Sequence, residues 1–239
     1  MKQNIYDDPI FHNAYMQLRT NDKGINNTLE IPAMRNLSGS VENKVILDLG
    51  CGFGHQAQYL LDHGAKEVVG VDISQKMIHE AKTRVQSRRV HFVNTAIEDY
   101  DMESEKFDMV VSSLTLHYVR DLKEVFKKVY LGLKKGGTFV FSIEHPMRTA
   151  GLKDWIPSDH NGAVPLDEYE KEGLRLQFWL VRGVKKYHRK LSSILNTLIA
   201  LEFSIRSVDE PVYPGFSQIE NPQSGPPILI IKTTKENRN

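Results

Sequence analysis

Between Lys44 and Pro146 the chain repeats one alternation, and that rhythm leaves few folds open. Short β-rich apolar runs (KVILDLG, EVVGVDIS, VHFVNTAIED, FDMVVSSLTLHYV and TFVFSIEHP) are separated by segments with apolar residues at helical spacing. In GHQAQYLLDHGA these are Ala57, Leu60 and Leu61 ahead of the stop signal Gly64; in QKMIHEAKTRV they are Met77, Ile78, Ala81 and Val85. DLKEVFKKVYLGLKKGG reads as an amphipathic helix closed by two glycines. Continuous apolar runs suit strands buried on both faces, and strands alternating with helices of about 10–15 residues imply parallel βαβ units.

Toward the carboxyl end YHRKLSSILNTLIAL reads as a further helix, and FSIRSV and PILIIKTT as two strands joined only by a loop, which should pair antiparallel. The expected fold class is α/β: a doubly wound, mostly parallel seven-stranded sheet with a C-terminal antiparallel pair, in a single domain over 1–239. Residues 1–43, polar with scattered Tyr6, Phe11 and Tyr15, read as an N-terminal cap. Residues 147–184 break the rhythm with Trp155, Tyr169, Phe178 and Trp179 among glycines, prolines and charges. They read as an inserted cap over the sheet's carboxyl edge and the substrate site.

Bulk properties exclude several partner classes. Thirty-one basic and 30 acidic residues give a net charge of +1, too little to hold a nucleic acid backbone or an anionic membrane. The single cysteine, Cys51, suits a reducing compartment. The amino terminus lacks a basic stretch followed by an apolar one, and the longest apolar runs are too short to span a bilayer. A cytoplasmic protein with no membrane partner is expected. The histidines are dispersed without ligand spacing, so no metal site is expected.

Ligands of open α/β sheets bind beyond the carboxyl ends of the strands, where strand order reverses. The exit loop of the first strand, DLGCGFG, is therefore the first place to look. Gly50, Gly52 and Gly54 remove side chains and let a ligand approach the backbone and the next helix's amides. Asp72 ends the second strand, 22 residues after Gly50, close to the spacing of an acid that accepts from ribose hydroxyls. Both features suit an adenosine-bearing cofactor. An acid immediately before the glycines would repel a pyrophosphate but tolerate a cationic ligand, so Asp48 favours S-adenosylmethionine over a nicotinamide or flavin dinucleotide.

VILDLGCGFG, VVGVDIS, FDMVVSSLTLHYV and LKKGGTFVFSIEHP, in this order over roughly residues 44–146, resemble the class I S-adenosylmethionine-dependent methyltransferases, in particular their small-molecule methyltransferase group. EHP and the stretch FWLVRGVKKYHRKLSSILNTLIALEFSIRSVDEP extend the likeness to a bacterial subgroup that brings no substrate with it. The resemblance implies S-adenosylmethionine as cofactor and S-adenosylhomocysteine as product. By it, Gly50, Cys51 and Gly52 line the methionine part with Asp48 near its amino group, and Asp72 holds the ribose. Ile73 and Met77 pack on adenine, the backbone of Ile97 meets the adenine edge, and Ser112 faces the methionine amino group. Ala96 stands where relatives often place an acid, so Glu98 or a water would have to substitute. Tyr15 and Arg19 could close over the cofactor, Arg19 on its carboxylate.

Methyl transfer from a sulfonium is an in-line displacement, which asks the protein for alignment and exclusion of water, with a base only if the acceptor must lose a proton. Glu144 and His145, at the end of the fifth strand, and His188 are the candidate catalytic residues. His117 reads as a structural residue of a helix start, and KKYHRK as a solvated helix face or a grip on an anionic substrate. SSLTLHY replaces the Asn-Pro-Pro-Tyr of amino methyltransferases of DNA bases, so no DNA partner is expected. The expected reaction is methylation of a small molecule, with oxygen slightly ahead of nitrogen because a histidine base is at hand. The alternatives are a tRNA or protein acceptor, a non-catalytic cofactor-binding protein, or a nicotinamide oxidoreductase. A homodimer is compatible with the sequence.

Overall fold

The computed structural model describes residues 2–20, 24–151, 166, 168–212 and 225–236. Seven strands form one sheet: β1 (Val45–Leu49), β2 (Glu67–Asp72), β3 (Val90–Asn94), β4 (Phe107–Ser112), β5 (Leu133–Glu144), β8 (Phe203–Asp209) and β9 (Ile228–Lys235). Their order is β3-β2-β1-β4-β5-β9-β8. β1 pairs in parallel with β2 and β4, β2 with β3, and β4 with β5, whereas β9 runs antiparallel between β5 and β8. The chain moves outward from β1 to β3 and then returns to β4 on the other side of β1. The order therefore reverses between β1 and β4, and a crevice opens at their carboxyl ends.

The apolar runs of the central strands are continuous because those strands feed two cores. Leu47, Leu49, Phe139, Phe141 and Ile231 pack on α5 (Leu122–Gly132) and α7 (Leu191–Ala200), with the Phe126 ring 5.3 Å from Phe141. On the other face Ile46, Val68, Met109 and Val111 pack on α3 (His55–Asp62). Val140, Ile228 and Ile230 receive Met34 of α2 (Ile31–Ser38). Each such buried aliphatic or aromatic side chain contributes about 1.5–3 kcal/mol. The helix starts are capped as their sequences require: Ser74 Oγ accepts from Met77 N at 3.1 Å at the head of α4 (Gln75–Arg84), and Asp121 accepts from Glu124 N at 3.1 Å at the head of α5.

Two boundaries differ from the sequence expectation. The helix expected to run through LKKGG stops at Gly132, and Leu133 already pairs with Phe107, so the two glycines lie within β5. The helix expected from Tyr187 starts at Leu191, because Tyr187 and His188 end a strand. That strand, β7 (Val181–His188), forms an antiparallel hairpin with β6 (Gly173–Trp179), largely within the stretch 147–184 that reads as an inserted cap. α6 (Pro146–Thr149) links β5 to this part of the chain, and Trp155 falls outside the described residues. The basic run KKYHRK is therefore no solvated helix face: Lys186 and His188 point inward and only Lys185 is exposed. Of the N-terminal residues, α1 (Pro9–Thr20) and α2 are joined through a π-helical stretch, Asn26–Glu30. Among the described residues no helix is long and apolar enough to cross a membrane.

Candidate active site

A cavity of about 800 Å³ opens at the carboxyl ends of β1, β2, β4 and β5, bounded above by the N-terminal residues and by the β6–β7 hairpin. Its floor is the turn after β1, where three glycines are needed for three different reasons. Gly50 (φ +80°) leaves no room for a side chain, since a Cβ there would lie 2.2 Å from Thr115 Oγ1. Its amide and that of Cys51 donate to the Val71 carbonyl at 2.8 and 3.1 Å, which ties the turn to the end of β2. Gly52 (φ +52°) faces open space on the cavity wall. Gly54 (φ +82°) starts α3 and packs against Val85 and Ala81, away from the cavity lining. Cys51 is buried, and burial followed by the nearby Asp72 and Asp48 pushes its thiol well above the usual range, so it is no nucleophile.

The polar groups at this end lack partners in a telling way. Asp48 is fully buried on β1, and its Oδ2 has no hydrogen-bond partner among the described residues. Burial, then the charges of Asp72 and Glu30, push its carboxyl up to about 7. Glu30 is also fully buried. Its Oε1 accepts from Ser113 Oγ and Ser142 Oγ, both at 2.7 Å, while Oε2 has no hydrogen-bond partner among the described residues. Two buried donor atoms, Arg19 Nε and Gln56 Nε2, likewise have none among the described residues, and both residues line the cavity. A buried group left unsatisfied costs about 1–3 kcal/mol, more when charged. Acceptors and donors orphaned together fit a zwitterion, such as the amino-acid end of S-adenosylmethionine.

Asp72 faces the same cavity from the end of β2. Its Oδ2 accepts from Gly52 N at 2.9 Å and its Oδ1 from Ser74 N at 2.8 Å, leaving lone pairs on each oxygen for hydroxyls. Burial raises this carboxyl to about 6, against the pull of the two amide donors. Ile73, Met77, Ala96, Ile97 and Glu98 line the wall beyond it, the place a purine would occupy. Ser112 lies outside this lining: buried beneath the floor, it donates to the Leu49 carbonyl at 2.8 Å, and Ser113 faces the cavity instead. Tyr15 and Arg19 of α1 line the cavity. The N-terminal residues are fastened there by Asp7, which accepts from Ser74 Oγ at 2.6 Å and Lys76 N at 3.1 Å at the head of α4.

The other half of the cavity lies under the hairpin. Glu144, ending β5, is paired with the buried Lys186 of β7 at 2.5 Å, and the Lys186 ammonium sits 5.3 Å from the Trp179 ring centroid. Burial alone would raise the Glu144 carboxyl, but the charge and hydrogen bond of Lys186 bring it below its ordinary value. His117 also lines the cavity; burial drops its imidazole to about 4, so it is neutral at pH 7. Its Nδ1 accepts from Glu144 N at 3.4 Å, which leaves the ring proton on Nε2. Tyr6, Tyr118 and Trp179 complete the wall, with the Trp179 ring centroid 6.3 Å from Tyr6.

The two expected histidine bases are placed elsewhere. His145 is the N-cap of α6: Nδ1 accepts from Met147 N at 3.2 Å and Nε2 meets Glu210 Oε1 at 2.8 Å. His188 is buried with Nδ1 on Thr149 Oγ1 and Nε2 on the Tyr169 carbonyl, both at 2.9 Å. Neither lines the cavity. Glu30 and Gln56 were not expected here from the sequence; Lys186 was read only as part of the basic run KKYHRK, and His117 was set aside although it follows the fourth strand's end. Among the described residues no group of histidines, cysteines and acids is placed to hold a metal.

Comparison with known proteins gives the same frame. Residues 47–141 match the family model described as "Methyltransferase domain". A solved S-adenosylmethionine-dependent methyltransferase from Mesorhizobium loti is 33% identical with a TM-score of 0.77, over 89% of this chain and 99% of that one. A solved structure from Listeria monocytogenes is 36% identical with a TM-score of 0.76, over 87% and 98%. Similarity to the malonyl-[acyl-carrier protein] O-methyltransferase of Enterobacter lignolyticus is 35% identity over 97 residues, 41% of this chain and 38% of that protein.

Proposed function

The chain belongs to the S-adenosylmethionine-dependent methyltransferases, and we propose that it methylates a small-molecule acceptor, on oxygen in preference to nitrogen. The observation that carries this reading is the cavity itself: one continuous volume of about 800 Å³ holds the acidic half and the half under the hairpin. That is room for the cofactor and one compact acceptor, in the range of small-molecule sites. Bound S-adenosylmethionine supplies a methyl group on a cationic sulfur, open to in-line displacement.

The residues then take these parts. Asp48 and Gln56 hold the amino-acid end with Arg19 on its carboxylate, and Asp72 accepts from the ribose hydroxyls. Ile73, Met77 and Ile97 sandwich the purine, and the open face of Gly52 lets the cofactor lie against the backbone. Tyr15 closes the site from α1, and Trp179 and Tyr118 exclude water around the reacting centre, where bulk solvent would weaken alignment. With His145 and His188 turned away from the cavity, the histidine base from which the sequence favoured oxygen is not at hand. An anionic oxygen is favoured instead, because an alkylamine is protonated at neutral pH and must lose a proton before it attacks. The name of the Enterobacter relative, an O-methyltransferase, is in keeping with this, over a match that spans 38% of that protein.

The test is to incubate the protein with methyl-labelled S-adenosylmethionine and a whole-cell extract, then to separate products by size. Label in the low-molecular-mass fraction supports the reading; label recovered in RNA or protein overturns it.

A further inference from the structure

The half of the cavity under the hairpin is unlike the cofactor half in sign. The cofactor half carries Asp48, Asp72 and Glu98 against Arg19 and Lys2, the latter paired with Asp99. Under the hairpin, Lys186 and Arg148 face Glu144, and Lys185 and Arg120 stand at the rim with Asp121, whose carboxylate is occupied as the N-cap of α5. Lys186 is the distinctive residue. Its side chain is only 4% exposed, its ammonium spends one donor on Glu144, and the Trp179 ring flanks it. An ammonium has three donors. Burying one beside a ligand cavity is costly unless further acceptors arrive with the ligand.

Among the described residues, the same half has few groups that could take up a proton. His145 and His188 face elsewhere, the imidazole of His117 presents Nε2–H and so donates, and Glu144 is held by Lys186. Among the described residues an alcohol would have to give its proton to Glu144 or Asp121, carboxylates already engaged by Lys186 and by the head of α5. A group already anionic at neutral pH needs no base.

Resting on the small-molecule reading above, we propose that the acceptor is a carboxylic acid, gripped as its anion by Lys186, with its apolar body against Tyr6, Tyr118 and Trp179, and methylated on a carboxylate oxygen. The bond changes balance without a proton. An oxygen lone pair forms the bond to the methyl carbon, the carbon–sulfur bond breaks, and its electron pair stays on sulfur. The products are a neutral methyl ester and the neutral thioether S-adenosylhomocysteine.

Calorimetric titration in the presence of saturating S-adenosylhomocysteine tests this by binding. The probes are benzoate, phenylacetate and hexanoate, each against its amide, with phenyl phosphate as a separate arm. At least one acid should bind about tenfold or more tightly than its amide, the scale of a charge-assisted hydrogen bond. Lys186→Met should erase that preference and Lys186→Arg should retain most of it, while both variants keep the thermal shift given by S-adenosylhomocysteine. No acid preferred over its amide, binding of phenyl phosphate alone, or a preference surviving in Lys186→Met would overturn the proposal. The labelling experiment separates the two readings: low-mass product that releases methanol in mild base supports the ester. Base-stable low-mass product refutes the ester alone, and label in macromolecules refutes the small-molecule reading.

Discussion

Replacing Asp48 with asparagine should stabilise the free protein above neutral pH and cripple cofactor binding in the same stroke. The Asp48 carboxyl is shifted from 3.8 to about 7, first by burial and then by the charges of Asp72 and Glu30. The folded state thus holds its proton more tightly than the unfolded chain. Stability is whole below the unfolded value and is lost as pH rises through about 7. A shift of about three units corresponds to about 4 kcal/mol on the alkaline plateau. Asparagine keeps the shape without the charge, so urea denaturation at pH 8 should show the variant more stable by up to about 4 kcal/mol, or roughly 8–16 °C in Tm for a chain of this size. At pH 4 the two curves should nearly coincide. S-adenosylhomocysteine should bind about 30- to 150-fold more weakly to the variant, the loss of one charged hydrogen bond of about 2–3 kcal/mol. A variant less stable than wild type at pH 8, or one that binds S-adenosylhomocysteine as well as wild type, would refute the reasoning.

Asp72→Ala removes the acceptor for Gly52 N and Ser74 N, so it should loosen the turn and weaken S-adenosylhomocysteine binding at least tenfold by calorimetry. The glycines should separate in a thermal melt with and without S-adenosylhomocysteine. Gly50→Ala meets Thr115 and should destabilise by more than about 2 kcal/mol, whereas Gly52→Ala should cost only about 1–2 kcal/mol for its backbone conformation and lose the ligand shift, because its methyl enters the cavity. His145→Gln should keep kcat within about threefold in a S-adenosylhomocysteine-release assay while lowering Tm by a few degrees, since the ring caps α6 and meets Glu210. A loss of a hundredfold or more in kcat with Tm unchanged would put that imidazole back at the reacting centre.

The central strands were legible because VILDL, EVVGVD and FDMVVS are apolar runs buried on both faces and too short for a helix. VILDL and EVVGVD became β1 and β2, and the loop-joined terminal strands paired antiparallel as β8 and β9. The hairpin was not legible, because its inward positions break the usual code. Arg175, Lys186 and His188 point inward where a sequence reading assigns charge to solvent. Arg175 is accommodated by the carbonyls of Ala150 and Glu168, and Lys186 by Glu144, partners that no local spacing reveals. Glu30 was hidden for the same reason: Ser113 and Ser142 lie 83 and 112 residues away in the chain. His117 carried a readable signal, since it follows the end of the fourth strand, where ligands of such sheets are met. The placing of His145 and His188 required the fold, because each imidazole is consumed by a neighbour brought in from a different element.

The most direct measurement is a crystal structure of the protein with S-adenosylhomocysteine. The account expects its amino group within hydrogen-bond distance of Asp48 Oδ2, its ribose hydroxyls on Asp72 and its sulfur facing the space beneath Trp179 and Lys186. A ligand bound elsewhere, or one in this cavity with Asp48 still unpartnered and the sulfur turned away from the hairpin, would contradict it.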